Sequence, residues 1–243
     1  MYGINDRGDI VGVKSETPVL IQEGRVTALP TLGATSITPT GINNAGQIIG
    51  NSNLGGILWD GRRAVLLGAN SSVSAVNESG QIAGSIGNRA VIWTNTVPQY
   101  LDPPGVPGAA SGINDKGEAV GVRFDYGPML WKNGKATLLD PLPNNVLTQS
   151  NPRRDAAFSI NNDGVIVGST AELNENATVW IDGKAYLLAD MTKPGSSAPL
   201  GNGPMVRATK VNNCGRIIGQ LYMYVDNSFL LDPIKKSNDK ECQ

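Results

Sequence analysis

Histidine is absent from the 243-residue sequence, and cysteine occurs only twice. The absence of histidine removes the residue type most often used for acid–base catalysis and for metal binding near neutral pH. Serine–histidine catalytic centres and histidine-bound zinc are therefore excluded, and two cysteines are too few for a four-thiolate zinc site. The sequence predicts neither a metal ion nor a cofactor.

The two cysteines are Cys214 and Cys242, and Cys242 is the next-to-last residue. They form either a disulfide that ties down the C-terminal segment or two unpaired thiols. The sequence leaves both possibilities open.

The sequence also lacks long apolar runs and an excess of charge of one sign. Its formal net charge is −1, which argues against a nucleic-acid-binding protein because such proteins usually present a basic surface. No run approaches the roughly 20 apolar residues that a membrane-spanning helix needs. The first residues, Met1 to Asn5, do not resemble a signal peptide. We expect no nucleic-acid partner, no membrane insertion and a monomer.

Glycine is abundant, with 30 residues, and much of it belongs to a repeated motif. The motif reads aliphatic, Asn, two variable residues, Gly, one variable residue, two mostly apolar residues, Gly. It occurs six times, at intervals of 34 to 51 residues. The aliphatic–Asn pairs are Ile4-Asn5, Ile42-Asn43, Val76-Asn77, Ile113-Asn114, Ile160-Asn161 and Val211-Asn212.

Each motif predicts a β-hairpin. The Asn side chain accepts backbone N–H groups across the turn, and the first Gly takes a positive φ. The second Gly lies within the returning strand, where glycine is otherwise unfavourable. We therefore expect another backbone segment or a large ring to pack closely against the second Gly.

A second hairpin follows each motif, so each unit has four strands, A to D. Trp59, Trp93, Trp131 and Trp180 all fall at one position of strand C, where the first and last units have Ile21 and Leu231. A four-stranded unit repeating every ~40 residues is typical of a β-propeller blade. The sequence therefore predicts an all-β fold, a six-bladed β-propeller of four-stranded antiparallel blades. We assign residues 1–233 to this single domain and 234–243 to a polar C-terminal tail.

The repeated pattern, followed by Leu-Trp or Ile-Trp on strand C and Leu-Leu on strand D, resembles the HAF-repeat family. Those are extracellular bacterial repeat proteins, generally thought to be propeller-like. The His-Ala-Phe motif that names the family is absent here, and the corresponding segments include 55–57 and 89–91. The resemblance implies a propeller fold and an extracellular or periplasmic location, and it supplies no catalytic residues.

The connections B–C and D–A vary in length, whereas the A–B and C–D turns are short and repetitive. Variable loops on a fixed scaffold usually hold binding residues, so we predict a ligand site on the B–C/D–A face. The alternative is that these side chains only pack or lie in solvent. The candidate ligand-binding residues are Arg123, Asp125, Tyr126, Arg153, Arg154, Asp155, Tyr222 and Tyr224.

Three functions are compatible with the sequence. The favoured one is a non-catalytic propeller that binds a carbohydrate or protein, because aromatic rings stack on sugars and Arg or Asp bonds their hydroxyl groups. The second is a glycan-acting hydrolase or lyase that uses two acidic loop residues. These acids are Asp125, Asp155, Glu172, Glu175, Asp190 and Asp226. The third is a structural module of a larger surface protein. A ring of calcium-binding asparagines is disfavoured, since Ca²⁺ sites usually need several carboxylates.

Overall fold

The computed structural model describes residues 2–61, 63–143, 155–171, 175–192, 206–221 and 227–233. The chain divides into two compact units, of which the first ends at Ala119 and the second begins at Val120. Six antiparallel sheets account for the strands, and in each sheet neighbouring strands are consecutive in the sequence. The one helical segment in the described residues is a 3-10 turn, Leu188–Met191. No helix among them is long and apolar enough to cross a membrane.

The first three sheets each have four strands. Sheet 1 contains β1 (Gly3–Ile4), β2 (Ile10–Lys14), β3 (Thr17–Gln22) and β4 (Arg25–Ala28). Sheet 2 contains β5 (Ile37–Ile42), β6 (Gln47–Ser52), β7 (Gly55–Asp60) and β8 (Arg63–Leu66). Sheet 3 contains β9 (Ser71–Val76), β10 (Ile82–Ile86), β11 (Arg89–Thr94) and β12 (Val97–Tyr100).

The remaining three sheets have four, four and three strands. Sheet 4 contains β13 (Gly108–Ile113), β14 (Ala119–Arg123), β15 (Gly127–Lys132) and β16 (Lys135–Leu138). Sheet 5 contains β17 (Ala156–Ile160), β18 (Ile166–Ala171), β19 (Glu175–Ile181) and β20 (Lys184–Leu187). Sheet 6 contains β21 (Val206–Val211), β22 (Ile217–Leu221) and β23 (Asn227–Leu231). The all-β prediction and the six repeated units are confirmed, and the predicted fourth strand is missing from sheet 6 as described.

The hairpin chemistry predicted for the motif is present in every sheet. In the second motif the amide of Gly46 donates to the Asn43 carbonyl at 3.1 Å, and the amide of Gln47 donates to Asn43 Oδ1 at 2.9 Å. Gly46 has φ = 86°, a conformation that costs other residues steric strain. The equivalent glycines also have positive φ: Gly8, Gly80, Gly117, Gly164 and Gly215.

The glycine within strand B lies opposite an irregularity in strand A. In sheet 2 the register of β5 and β6 shifts between Pro39 and Gly41, so strand A bulges toward its partner. A Cβ added to Gly50 would lie 2.7 Å from the Thr38 carbonyl oxygen and 2.8 Å from Trp59 Cζ3. Both expected neighbours, a backbone segment and a large ring, are therefore found at this glycine.

The tryptophans lie between consecutive sheets, as predicted. Trp59, Trp93 and Trp180 are fully buried. Each indole Nε1–H donates to a backbone carbonyl just after strand D of the preceding sheet. The acceptors are Pro30 for Trp59 at 2.8 Å, Leu67 for Trp93 at 3.2 Å and Asp140 for Trp180 at 2.8 Å. The ring buries apolar surface while its one polar atom keeps a partner.

Four apolar clusters fill the junctions between sheets 1 and 2, 2 and 3, 4 and 5, and 5 and 6. Each junction takes residues of strands B and C from the earlier sheet and residues of at least its first three strands from the later one. At the junction of sheets 2 and 3, Ile49 and Leu58 pack against Val73, Ile82 and Trp93. The two faces of sheet 2, and likewise those of sheet 5, therefore contribute to two different clusters, and neither face is buried by the sheet alone.

The motif asparagines also join one sheet to the next. Asn5 Nδ2 donates to the Asn43 carbonyl at 3.1 Å, Asn43 Nδ2 to the Asn77 carbonyl at 2.9 Å, and Asn77 Nδ2 to the Asn114 carbonyl at 2.9 Å. In the compact unit that begins at Val120, Asn161 Nδ2 donates to the Asn212 carbonyl at 3.1 Å. We call these inter-sheet bonds the asparagine ladder.

In the first four motifs, the side chain four positions after the ladder asparagine is a second acceptor for the same amide. This acceptor is Asp9 for Asn5 at 2.9 Å, Gln47 for Asn43 at 2.9 Å, Gln81 for Asn77 at 2.9 Å and Glu118 for Asn114 at 2.8 Å. Both amide hydrogens of a buried asparagine are thus bonded, which avoids the cost of an unpaired buried donor.

Asp9 is a buried carboxylate in this position. The hydrogen bond from the Asn5 amide lowers the pKa of Asp9 below its usual value, burial opposes this shift, and Gln22 and Arg7 lower the pKa further. Arg7 Nη2 lies 2.8 Å from Asp9 Oδ2. A carboxyl group whose pKa is lower when folded stabilises the fold above its unfolded pKa, and this contribution is lost as the pH falls through the folded value.

Substitution of Gly50 tests the close approach of strand A and Trp59. Gly50→Ala is expected to lower the free energy of unfolding by about 2 kcal/mol or more because the added methyl group overlaps the Thr38 carbonyl and the Trp59 ring. Gly41→Ala is the matched control in the same sheet, since its Cβ would meet Ile49 Cγ1 at an ordinary 3.5 Å. Chemical denaturation measures both, and equal losses would contradict the packing account.

Substitution of Asp9 tests the charged member of the ladder. The variant Asp9→Asn has no carboxyl group to titrate at this position. As the pH is lowered from about 6 to about 2, its free energy of unfolding is therefore expected to decrease less than that of the wild type. Asp182→Asn, at an exposed hairpin turn, serves as the control and should follow the wild-type curve. Urea denaturation across this range gives the comparison, and parallel curves for Asp9→Asn and wild type would refute the assignment.

Candidate functional site

The B–C connection of sheet 4 places two exposed aromatic side chains beside two charged ones. It runs between Arg123, the last residue of β14, and Gly127, the first residue of β15. Phe124 is 44% exposed and Tyr126 is 58% exposed, with Asp125 between them. The amide of Tyr126 donates to the Arg123 carbonyl at 3.0 Å, which closes the turn and fixes its backbone. We call residues 123–126 the aromatic turn.

The aromatic turn differs from the equivalent connections of sheets 1, 2 and 3. Those connections have two residues each, Ser15-Glu16, Asn53-Leu54 and Gly87-Asn88, and none is aromatic. The connection in sheet 4 has three residues. Because the flanking strands repeat and this turn does not, its side chains are not required by the hairpin itself.

The other predicted ligand-binding residues are either buried or outside the described residues. Asp155 directly precedes β17 and is only 3% exposed, although the run 153–155 was expected to lie in a loop open to ligand or solvent. The carboxylate at the start of this strand is therefore buried within the protein. Arg153, Arg154, Tyr222 and Tyr224 lie outside the described residues.

Three of the acidic residues considered for glycan cleavage, Asp125, Asp155 and Asp190, lie within the described residues. Asp190 is exposed in the 3-10 turn Leu188–Met191, and Asp125 is exposed in the aromatic turn. Glu172, Asp226 and the side chain of Glu175 lie outside the described part of the chain. Catalysis by paired carboxylates requires two such groups flanking one bond, and the described geometry identifies no such pair.

The ladder asparagines have a structural role that occupies their polar atoms. Asn5 Oδ1 accepts the amides of Arg7 at 3.1 Å and Asp9 at 2.9 Å, while Asn5 Nδ2 donates to the Asp9 carboxylate and the Asn43 carbonyl. Within the residues that the structure describes, no group of three or more carboxylate, thiol or imidazole side chains is positioned to hold a metal ion. The turns are therefore held by hydrogen bonds among protein groups.

The structure distinguishes between the two alternatives for Cys214, a disulfide or an unpaired thiol. This residue, in the turn of sheet 6, is disulfide-bonded. The only other cysteine in the sequence, Cys242, lies outside the described residues.

No protein-family model matches this chain, and no curated protein matches it.

Comparison with solved structures gives similarity to β-propeller proteins. An inactive variant of virginiamycin B lyase from Staphylococcus aureus, determined with quinupristin, has a TM-score of 0.55 at 14% identity, covering 94% of this chain and 83% of the lyase. The calcium-binding protein regucalcin from Agrobacterium tumefaciens has a TM-score of 0.45 at 11% identity, covering 90% of this chain and 87% of regucalcin. At such identities the likeness to the lyase concerns the fold alone. The chain is an all-β protein with a propeller-like arrangement of antiparallel sheets.

Proposed function

We propose that this protein is a non-catalytic binding module and that the aromatic turn contacts its ligand. The observation that supports the proposal is the exposure of Phe124 and Tyr126, 44% and 58%, on a turn closed by its own backbone hydrogen bond. Covering the apolar surface of these rings with a ligand would be favourable by about 25 cal/mol per Å² buried.

A carbohydrate is the ligand class that fits this turn best. The apolar face of a sugar ring stacks on an aromatic ring, and the sugar hydroxyl groups bond to charged and amide side chains around it. Phe124 and Tyr126 supply the rings, and Arg123 and Asp125 supply charged groups within the same four residues. A fixed turn also limits the loss of conformational entropy on binding. A protein partner that inserts an apolar side chain is the second possibility.

The scaffold of the proposed module is a β-propeller of the HAF-repeat type, located outside the cytoplasm. The six sheets, the inter-sheet tryptophans and the asparagine ladder support a propeller. The resemblance of the repeated motif to HAF repeats supports the location. The closed six-bladed ring remains a prediction of the sequence.

A glycan-acting lyase or hydrolase is the second candidate function. Its support is the set of acidic loop residues in the sequence, of which Asp125 is exposed in the aromatic turn. In that case an acidic loop residue such as Asp125 would act in turnover, and Asp125→Asn would abolish it. A panel of polysaccharides assayed for new reducing ends or unsaturated products tests this function, and a lack of turnover across the panel removes it.

Removal of the aromatic rings tests the binding proposal. The double variant Phe124→Ala/Tyr126→Ala is expected to weaken binding of a glycan found by array screening by at least about tenfold, which corresponds to ~1.4 kcal/mol. The fold should be unaffected because both side chains are exposed and make little core contact. Isothermal titration calorimetry gives the affinity.

Tyr186→Ala is the matched control for this test. Tyr186 is 42% exposed on β20, at the outer edge of a sheet and away from the B–C connections. Its removal should leave binding unchanged. If the double variant binds as tightly as the wild type, the aromatic turn is not the site, and if no glycan or protein binds the wild type, the structural-module function is favoured instead.

A further inference from the structure

The turn between strands A and B of sheet 6 contains a cysteine, which the other five repeats lack. Cys214 occupies the second position after the motif asparagine, Asn212. The Cys214 amide donates to Asn212 Oδ1 at 3.0 Å, and the Gly215 amide donates to the Asn212 carbonyl at 3.0 Å. The turn is therefore closed by the same hydrogen bonds as the others, and the thiol is an addition to it. The earlier motifs have Arg7, Ala45, Ser79, Lys116 and Asp163 at this position.

The Cys214 sulfur is already committed to a covalent bond. Cys214 is disulfide-bonded, and the described residues include no free cysteine. The only other cysteine in the sequence is Cys242, so a disulfide within one chain joins Cys214 to Cys242. Cys214 is half-buried and its neighbour Asn213 is exposed, which leaves the turn at the protein surface.

The chain that follows β23 also departs from the repeat. Ile217 pairs with Leu231 in sheet 6 as Ile48 pairs with Trp59 in sheet 2. By this register, Pro233 corresponds to Gly61, the first residue of the C–D turn in sheet 2, which has φ = 60°. The equivalent residues of the other C–D turns also have positive φ: Glu23, Asn95, Asn133 and Asp182.

Proline cannot adopt the conformation that begins these turns, because its ring holds φ near about −65°. The C–D turn of the repeat therefore cannot form at Pro233. This accounts for the three strands of sheet 6 within the described residues. In the earlier sheets a C–D hairpin holds the end of strand C, and β23 has no such partner in the part of the chain that the structure describes.

The A–B turn of sheet 6 contacts the residues that follow β23 instead. Arg216 Nε donates to Asp232 Oδ1 at 2.6 Å. A Cβ added to Gly215 would lie 3.6 Å from Pro233 Cγ. The ion pair is exposed, with 51% of the Arg216 and 63% of the Asp232 side chain in solvent, and exposed pairs stabilise a fold only weakly. These contacts bring the chain to the turn without fastening it firmly.

The position of Pro233 favours a bond between the two cysteines. Pro233 lies beside Gly215, the residue next to Cys214. Only residues 234–241 separate Pro233 from Cys242, so this short segment begins close to the sulfur that Cys242 must reach. The entropy lost on closing such a short loop is small compared with that of a long one. The resulting covalent ring includes β22 and β23.

We propose that the Cys214–Cys242 disulfide is a redox-sensitive clasp. It fastens the residues that follow β23 to the A–B turn of sheet 6, in place of the C–D hairpin of the other sheets. Disulfides persist in oxidising compartments and are reduced in the cytosol, so the clasp closes outside the cytoplasm. This is the location proposed above, and the clasp supports it independently of the repeated motif. The clasp does not depend on the ligand proposed for the aromatic turn.

Opening of the clasp requires a dithiol reductant. One thiolate of the reductant attacks a sulfur of the Cys214–Cys242 bond, forms a mixed disulfide and releases the other cysteine, which takes up a proton. The second thiolate of the reductant then displaces the remaining cysteine, which is also protonated. Two electrons pass to the two cysteines, and the dithiol leaves as a disulfide. The residues after β23 then retain only the Arg216–Asp232 pair and the contact between Pro233 and Gly215.

Peptide mapping of the full chain tests the bond. Trypsin cuts after Lys210, Arg216 and Lys240, so digestion after alkylation without reduction should release residues 211–216 linked to residues 241–243. Reduction should separate the two peptides. If both peptides are instead found alkylated and separate before reduction, or if a non-reducing gel shows two chains joined covalently, the proposed bond is wrong.

Hydrogen exchange of the full chain tests the effect of the bond on sheet 6. Reduction with dithiothreitol should accelerate amide exchange in β22 and β23 at least about tenfold, because these strands lose their covalent fastening. Exchange in sheet 2 should not change. The variant Cys214→Ser/Cys242→Ser should exchange as the reduced wild type does and should not respond to dithiothreitol.

Arg216→Gln is the matched control, since it removes the ion pair and leaves the disulfide. Its exchange in β22 and β23 should stay within about threefold of the oxidised wild type, as expected for an exposed pair. Unchanged exchange in sheet 6 after reduction of the wild type would show that the bond fastens nothing. Equal acceleration in sheet 2 would show general unfolding, and it would likewise overturn the proposal.

Discussion

The hydrogen bond from a buried asparagine side chain to the backbone of the next repeat is the constraint on which the arrangement of sheets depends. Asn43 accepts the Gln47 amide within its own turn and donates to the Asn77 carbonyl in the next one. The same amide thus closes a hairpin and sets the position of its neighbour. Because these groups are buried, a shift of one sheet against the next would leave donors and acceptors unpaired, at a cost of about 1–3 kcal/mol each.

Apolar packing attracts neighbouring sheets to one another, and the asparagine ladder fixes how they are aligned. Sheets 2 and 5 each contribute apolar residues to two clusters, one on each face. Tryptophan combines the two kinds of interaction, since Trp59 fills the junction while its indole nitrogen bonds to the Pro30 carbonyl. The close contact between Gly50 and the Trp59 ring shows how little free volume remains. The scaffold is therefore specified by shape and by polar partners together, and its loops can vary without altering it.

Much of the architecture was predictable because it repeats. Six copies of one pattern gave the hairpins, the turn glycines and the position of the tryptophans, and all of these are confirmed. Sheet 6 has three strands within the described residues, where the repeat predicted four. The second role of the asparagines was not predicted. The acceptors four residues after the first four asparagines, such as Asp9, Gln47 and Glu118, were a usable signal. The bond to the next repeat, however, joins residues 34 to 51 positions apart. A pattern of residues that are close in the sequence cannot predict such a contact.

The candidate site also has features that the sequence predicted and features that it could not predict. Sequence identified the aromatic turn because its residues break the repeat, and periodicity placed it on a B–C connection. It could not show that Asp155 is buried while Tyr126 is exposed, since burial depends on which sheets surround a residue. The sequence by itself determined the repeated hairpin, its turn chemistry and the number of units, because these arise from contacts a few residues apart. Only the tertiary structure decided which faces are covered and which remain in water, because each sheet is buried by its neighbours and not by its own residues.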